Sequence, residues 1–319
     1  MLLGALATWQ FWTRLEYVAA GRMSFVEPRI ATHRSTTWWL SALKKRRERM
    51  YEEGLDLSEP VAWRDEAEKA AAIAFFNAAF RAEESGLRQA HEIADEIAAD
   101  DPELAETLKL YGDEEGWHRE LLTEFLAFIG GEVRPMGPTT RTFYNFYKRA
   151  KRMETIVLVN LMFETIGSTT YRMALARVKH PAIRPMLTIL TRDESFHVPL
   201  NVHFLKHAMK RTTPVARLRL RMLFKVLFVA LLGSAYASRR RAKNFDQIEF
   251  RDLARAYAEH LAALFAREPD LGFVPPPFVL RLLDIDPSTL ATSEAARVTS
   301  IEEAEKAVDR TRTVVTAIA

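Results

Sequence analysis

The sequence predicts an all-α protein, and three observations support this fold class. Apolar residues recur every three or four positions through long stretches of the chain, which is the spacing of a buried helix face. No stretch shows the strict alternation of apolar and polar residues that is typical of strands. Helix-breaking residues are few, with 14 prolines and 12 glycines among 319 residues. A hydrophobic fraction of 48% is ample for one core, so we expect a single domain over 1–319.

The chain divides into three predicted parts. Residues 1–64 form an N-terminal helical lead-in that is rich in arginine and tryptophan, with the tryptophans Trp9, Trp12, Trp38 and Trp39. Residues 65–210 should contain a core of four long helices. Residues 211–319 add further helices, and from Pro275 onward the tail is expected to be loop-rich with one short amphipathic helix near 300–314.

The boundaries of the four core helices follow from local signals. Asp101 before Pro102 is a typical helix start, because aspartate caps the first turn and proline fits the first helical position. Gly130 and Gly131 end the second helix, and the His180–Pro181 pair separates the third helix from the fourth. Glu115 and Glu164 are 49 positions apart, which leaves room for a long crossover between the second and third helices.

Two copies of a Glu-x-x-His pattern lie in the core, and an isolated glutamate precedes each copy by about 30 residues. On a helix, this spacing places a carboxylate and an imidazole one turn apart on the same face. The predicted metal ligands are Glu83, Glu115, His118, Glu164, Glu194 and His197. Four carboxylates and two imidazoles form the donor set of a di-iron or di-manganese helix bundle.

Each predicted ligand lies on the apolar face of its helix, where leucine would be the ordinary residue. Burying four unpaired carboxylates is too costly, whereas two divalent cations would neutralise them. The pair Glu83 and Glu84 leaves an alternative open, since a small rotation of the helix exchanges them. Glu83 falls on the apolar face and is favoured as the first ligand.

The absence of cysteine from the sequence excludes disulfides, thiolate metal sites and a thiol nucleophile. Oxygen and imidazole ligands suit iron or manganese. The chain also has no four-cysteine cluster site and no glycine-rich nucleotide motif, so electrons for a redox reaction must come from a separate reductase or ferredoxin.

The two motif regions resemble the ferritin-like di-iron carboxylate superfamily, above all its soluble acyl-carrier desaturases and also its N-oxygenases. The similar segments are Glu114-Glu115-x-x-His118 with the following Leu-Leu and Phe-Leu pairs, and Asp193-Glu194-x-x-His197 with Glu164 before it. The resemblance covers about 83–208. It implies a ferritin-like four-helix bundle with additional N- and C-terminal helices, two iron ions (or manganese) and O2 as co-substrate. The N-oxygenases have a further histidine one turn before the last glutamate of the set, where this chain has Leu190.

The resemblance also implies supporting roles around the metals. Glu114 and Asp193 would each accept a hydrogen bond from the opposite histidine and so fix its orientation; the alternative is that both are solvated surface acids. Gly167 stands where the desaturases have threonine and would open space beside the metals. Tyr111, one turn before Glu115, is either a neighbour of the metals or an ordinary core tyrosine.

The leading functional hypothesis is an O2-activating di-iron oxidase or oxygenase that hydroxylates, desaturates or N-oxygenates a small or carrier-bound organic substrate. One alternative is a ferroxidase or other iron-handling protein. The second alternative is a bundle whose metal site is structural and which binds an acidic partner. We expect a cytoplasmic protein, because the N-terminus lacks the features of a secretory signal. A homodimer is also expected.

Basic residues are unevenly distributed, although the net charge is only +3. They cluster at 147–152, 206–225 and 238–243, and the apolar segment 226–237 between the last two clusters is too short to span a membrane. The segment 206–243 is either a buried helix with a basic rim or a docking surface. Such a surface would bind an acidic partner, such as an acyl carrier protein, or a membrane face. The clusters lack interleaved aromatic residues, so nucleic-acid binding is not expected.

Overall fold

A computed structural model describes residues 33–50, 54–137, 141, 144, 145, 147–298 and 300–309. Within these residues the protein is all-helical and contains no strand, which confirms the predicted fold class. The longer helices are α1 (Thr36–Met50), α2 (Glu66–Ile97), α3 (Pro102–Phe128), α4 (Met153–Arg177), α5 (Arg184–Lys210), α6 (Pro214–Asp246) and α7 (Phe250–Arg267). The remaining elements are α8 (Pro277–Leu282), a 3-10 helix (Pro287–Thr292), α9 (Glu294–Val298) and α10 (Ile301–Asp309).

The four predicted core helices correspond to α2 through α5. Asp65 and Asp101 cap α2 and α3, where their side chains accept hydrogen bonds from the backbone N–H groups of the third helical residues. After α3 the chain turns at Gly130, whose φ of +74° lies in the left-handed region that favours glycine. The tail differs from the expectation, because it has three short helical elements before α10, the helix predicted near 300–314.

The helices pack in pairs, α2 against α3 and α4 against α5. Helix α1 lies on α3, α6 lies against both α2 and α4, and α7 lies on α4. Residues from His33 onward form one compact unit. Residues 1–32, with Trp9 and Trp12, lie outside the described part, and a single domain over 1–319 stays a prediction.

The core is divided into two apolar clusters along the length of the four helices. One cluster contains Leu108 and Phe204, and the other contains Phe76 and Phe125. The glutamates and histidines of the motifs occupy the layer between the two clusters on all four helices. A buried polar layer of this kind needs internal partners for every charge. Among the described residues, no helix combines the length and the apolar character that a membrane span requires.

Candidate metal centre

The structure brings the six predicted ligands into one buried cluster at the middle of α2 to α5. None of the six residues is more than 9% exposed. The six residues form three overlapping groups of three. Within each group, one donor atom from each residue lies within 4.8 Å of the other two. The groups are Glu115, His118 and His197; Glu83, His118 and Glu194; and Glu164, Glu194 and His197.

The neighbouring Glu84 does not take part in the cluster. Its side chain is 36% exposed and forms an ion pair with Arg81 on the same helix. Glu83 is 2% exposed, and its Oε2 lies 3.4 Å from Nδ1 of His118. The geometry therefore favours Glu83 as the donor from α2.

Each histidine is held by the acid that precedes the other motif. Nε2 of His118 lies 3.0 Å from Oδ2 of Asp193, and Nε2 of His197 lies 3.0 Å from Oε2 of Glu114. Both acids are buried, so they are not solvated surface residues. Because Nε2 of each ring faces an acid, Nδ1 is directed at the cluster and is available as a ligand atom.

Arg46 of α1 joins the two acids, and the sequence analysis missed it. Its Nε donates to Oε1 of Glu114 at 2.8 Å, and one terminal nitrogen donates to Glu114 at 3.0 Å and to Asp193 at 2.9 Å. The guanidinium also lies 4.3 Å from the centre of the Phe196 ring. Arg46 belongs to a run of charges that indicates a solvated surface. Arg46 lies seven residues after Trp39, and this spacing places both on the same face of α1. The spacing is the sequence signal that could have predicted its burial.

Burial and mutual repulsion disfavour full ionisation of the four carboxylates. Burial, together with the charges of Glu164 and Glu83, raises the pKa of Glu115 and that of Glu194 well above the usual range. Burial opposes ionisation of Glu83 too, but hydrogen bonds from Glu115 and His118 lower the pKa of Glu83. In the absence of cations, some of the four carboxylates therefore remain protonated.

The supporting acid Asp193 stays ionised, and it holds a proton on His118. Burial alone would raise the pKa of Asp193, but Arg192, Arg46 and the His118 hydrogen bond together lower it far below the usual range. Burial alone would lower the pKa of His118. Hydrogen bonds to Asp193 and Glu83 outweigh burial and raise the pKa of His118 to about 10.

Three donor atoms of the cluster lack a hydrogen-bond partner within the described part of the chain and could be satisfied by cations. Oε1 of Glu115, Oε2 of Glu194 and Nδ1 of His197 are buried and have no hydrogen-bond partner among the described residues. The first and the last lie 3.3 Å apart without forming a hydrogen bond. Unpaired buried polar atoms are costly. Divalent cations would satisfy all three atoms, and oxygen and imidazole donors are the ligands that iron and manganese accept.

Tyr111 contacts the cluster directly and is not only a core residue. Its hydroxyl donates to Oε1 of Glu164, and its ring packs edge-on against His197 with centroids 5.0 Å apart. Burial and the nearby Glu115 and Glu164 raise the pKa of Tyr111 well above 10. The phenol therefore stays protonated at neutral pH and remains a donor to Glu164.

A small cavity adjoins the carboxylates between α2 and α4. Besides the glutamates, it is lined by Ala82, Ser85, Gly86, Asn160, Phe163, Gly167 and Tyr171. Its volume is about 20 Å³, and one water molecule needs roughly 10–15 Å³. Gly167 lines this space, and a Cβ atom there would lie 3.4 Å from the Tyr171 ring. The cavity thus lies among the four carboxylates and is large enough for about one water-sized species.

The chain was compared with protein-family models, with curated proteins and with solved structures. None of them matches it. The six buried donors, their supporting acids and the adjoining cavity are therefore the features from which a function is inferred below.

Proposed function

We propose that this protein is a ferritin-like di-iron protein that activates O2 and oxidises a small organic substrate. The observation that carries the proposal is the closed set of four carboxylates and two imidazoles, which is buried between two apolar clusters and has unsatisfied donor atoms. This donor set is the one used in di-iron and di-manganese helix bundles. Two bound iron ions would supply the redox chemistry and the open coordination positions for O2.

The residues have distinct roles in this proposal. Glu83, Glu115, His118, Glu164, Glu194 and His197 hold the metals. Glu114 and Asp193 orient the two imidazoles. Arg46 favours ionisation of both acids, and Arg192 does so for Asp193. Tyr111 fixes the carboxylate of Glu164 by hydrogen bonding. The apolar clusters on either side exclude water from the reacting groups.

The remaining requirements lie outside this chain. Since the sequence has no cysteine, a separate ferredoxin or reductase is proposed to supply electrons. An organic substrate needs more room than the cavity of about 20 Å³ offers, so side chains that line it are proposed to move when the substrate binds. A cytoplasmic homodimer is part of the same proposal.

The test is metal content combined with O2 reactivity. Metal-free protein is loaded with Fe(II) anaerobically, the iron bound per chain is counted, and O2 is then added while O2 consumption and visible absorbance are followed. We expect two irons per chain and a transient absorption band. The Glu115→Gln/Glu194→Gln double variant should lose both, whereas Glu84→Gln/Glu120→Gln, which alters two glutamates outside the cluster, should lose neither. Unchanged iron binding and O2 consumption in the first variant would contradict the proposal.

The small cavity favours a second candidate function, the oxidation of Fe(II) itself. A space of about 20 Å³ among the four carboxylates suits water-sized species and is too small for an organic substrate. A ferroxidase continues to consume O2 when Fe(II) is added well beyond two equivalents per chain, whereas an oxygenase stops until substrate and reductant are supplied. Two bound metals without any O2 reaction would instead indicate a structural site.

A further inference from the structure

Helix α6 has an exposed apolar stripe that nothing in the described structure covers. The stripe consists of Val215, Leu218, Met222, Val226 and Val229, whose side chains are between 44% and 64% exposed. The steps of three and four residues place all five on one face, over a length of about 21 Å. Exposed apolar patches of this size usually mark a binding surface.

The exposed large apolar side chains of the described residues are confined to two parts of the chain. Among the described residues, all nine large hydrophobic side chains with high exposure belong either to α6 or to the segment 274–282. This segment follows directly on a stretch that packs against α6, where Nε of Arg221 donates to the Leu271 carbonyl oxygen at 3.2 Å and the Phe224 and Phe273 rings lie 5.4 Å apart. Val274, Phe278 and Leu282 are the exposed apolar residues of this segment, and they are separate from the stripe on α6.

The charge on α6 indicates what this surface binds. Between Pro214 and Phe245 the helix has eight basic residues and no acidic residue. At about 100° per residue, Arg219 and Lys225 flank the apolar stripe, one about 60° to each side of its centre. An apolar face between cations matches a phospholipid surface, where the apolar groups enter the acyl boundary and the cations meet anionic headgroups.

A second copy of the chain is a poorer occupant for the same face. Two α6 helices that paired through their stripes would bring Arg219 and Lys225 of one copy close to the same cations of the other. The helix has no acid between Pro214 and Phe245 to offset that repulsion. Anionic lipid headgroups avoid this repulsion between cations, because each basic residue is attracted to the negatively charged surface.

We propose that this protein docks on anionic phospholipid membranes through α6, with the stripe Val215–Val229 facing the lipid and Arg219 and Lys225 at the headgroups. The helix lies in the plane of the surface and does not cross it. The proposed contact is independent of metal binding.

The test is cosedimentation of the full-length protein with vesicles of phosphatidylcholine, alone or with an equal part of phosphatidylglycerol. We expect binding to the mixed vesicles, weaker binding to phosphatidylcholine alone, and loss of binding as salt rises. Arg219→Gln/Lys225→Gln should weaken binding at least tenfold. Leu218→Gln/Val226→Gln should weaken it by a similar factor, because it removes apolar area from the lipid contact.

The control removes two exposed cations elsewhere. Arg149→Gln/Lys151→Gln has the same change in net charge and should bind vesicles as the unaltered protein does. Circular dichroism confirms that each variant is folded. Absence of vesicle binding, or binding that survives both α6 variants, would overturn the proposal. If the protein does not bind vesicles and forms a dimer that only Leu218→Gln/Val226→Gln dissociates, a second copy of the chain covers this face and the proposal is overturned.

Discussion

Replacement of Arg46 by alanine is expected to destabilise the metal-free protein by about 3–5 kcal/mol, the usual cost of removing one partner from a buried ion pair. Arg46 is 4% exposed and makes three hydrogen bonds of 2.8–3.0 Å to Glu114 and Asp193. Asp193 retains Arg192 as a cationic partner, so the larger part of the effect should arise at Glu114. Metal affinity should also fall about 10- to 100-fold, because the acids no longer hold the histidines firmly.

The assay is urea unfolding of chelator-treated protein, followed by circular dichroism, with Arg47→Ala as the matched control. Arg47 is the next residue, is half exposed, and lies 3.9 Å from Asp113, so its loss should cost less than about 1 kcal/mol. Arg46→Lys keeps the charge but not the forked geometry of the guanidinium. Its loss of unfolding free energy should therefore lie between those of Arg46→Ala and Arg47→Ala. If Arg46→Ala and Arg47→Ala unfold at the same urea concentration, the bridge between the two acids has no energetic importance and this reasoning fails.

Three further predictions concern glycines and pH. Gly86→Ala should lower metal affinity about 10- to 100-fold, the equivalent of the roughly 1–3 kcal/mol that overpacking costs, because the added Cβ would lie 3.2 Å from Cδ of Glu115 and displace that carboxylate. Gly116→Ala should leave metal binding unchanged and raise stability by up to about 1 kcal/mol, since the added Cβ meets only the methyl groups of Leu87, the nearer at 3.5 Å. Metal-free protein should lose stability as pH rises from 6.5 toward 10, because the folded-state pKa of His118, about 10, lies above its ordinary 6.5.

The measurements for these predictions are metal titration for Gly86→Ala, thermal unfolding for Gly116→Ala, and urea unfolding at several pH values for His118. In the pH series, His118→Gln should flatten the decline, because glutamine does not titrate. Equal metal affinity in both glycine variants would argue against close packing of Gly86 on the Glu115 carboxylate. A stability that rises between pH 7 and 10 would contradict the predicted protonation of His118.

The buried faces of α2 to α5 could be predicted because helix periodicity is a local property. Steps of three and four residues place Glu115 and His118 on the face that also has Leu122 and Phe125, and the structure buries all four. The same criterion distinguished Glu83 from Glu84. Cap and turn residues such as Asp101 and Gly130 placed the helix ends for the same reason.

Contacts between distant segments could not be predicted in this way. Arg46 meets Glu114 and Asp193 across 68 and 147 positions of sequence, and its own neighbours are charged. Only the packing of α1 on α3 shows that a residue from this charged run is buried. The exposure of the stripe on α6 could not be predicted for the same reason. Apolar spacing alone does not show which helix faces pack against another element.

The two halves of the centre are related but not equal. Tyr111 lies four residues before Glu115 and donates to Glu164, whereas the corresponding position before Glu194 is Leu190, which offers no hydrogen bond. The carboxylate of Glu164 is therefore engaged by a phenol, whereas that of Glu83 is engaged by His118 and Glu115. Calorimetric titration with Mn²⁺ should then resolve two binding steps. A centre built from unequal halves fills in order, so that the chain with a single ion is one defined species.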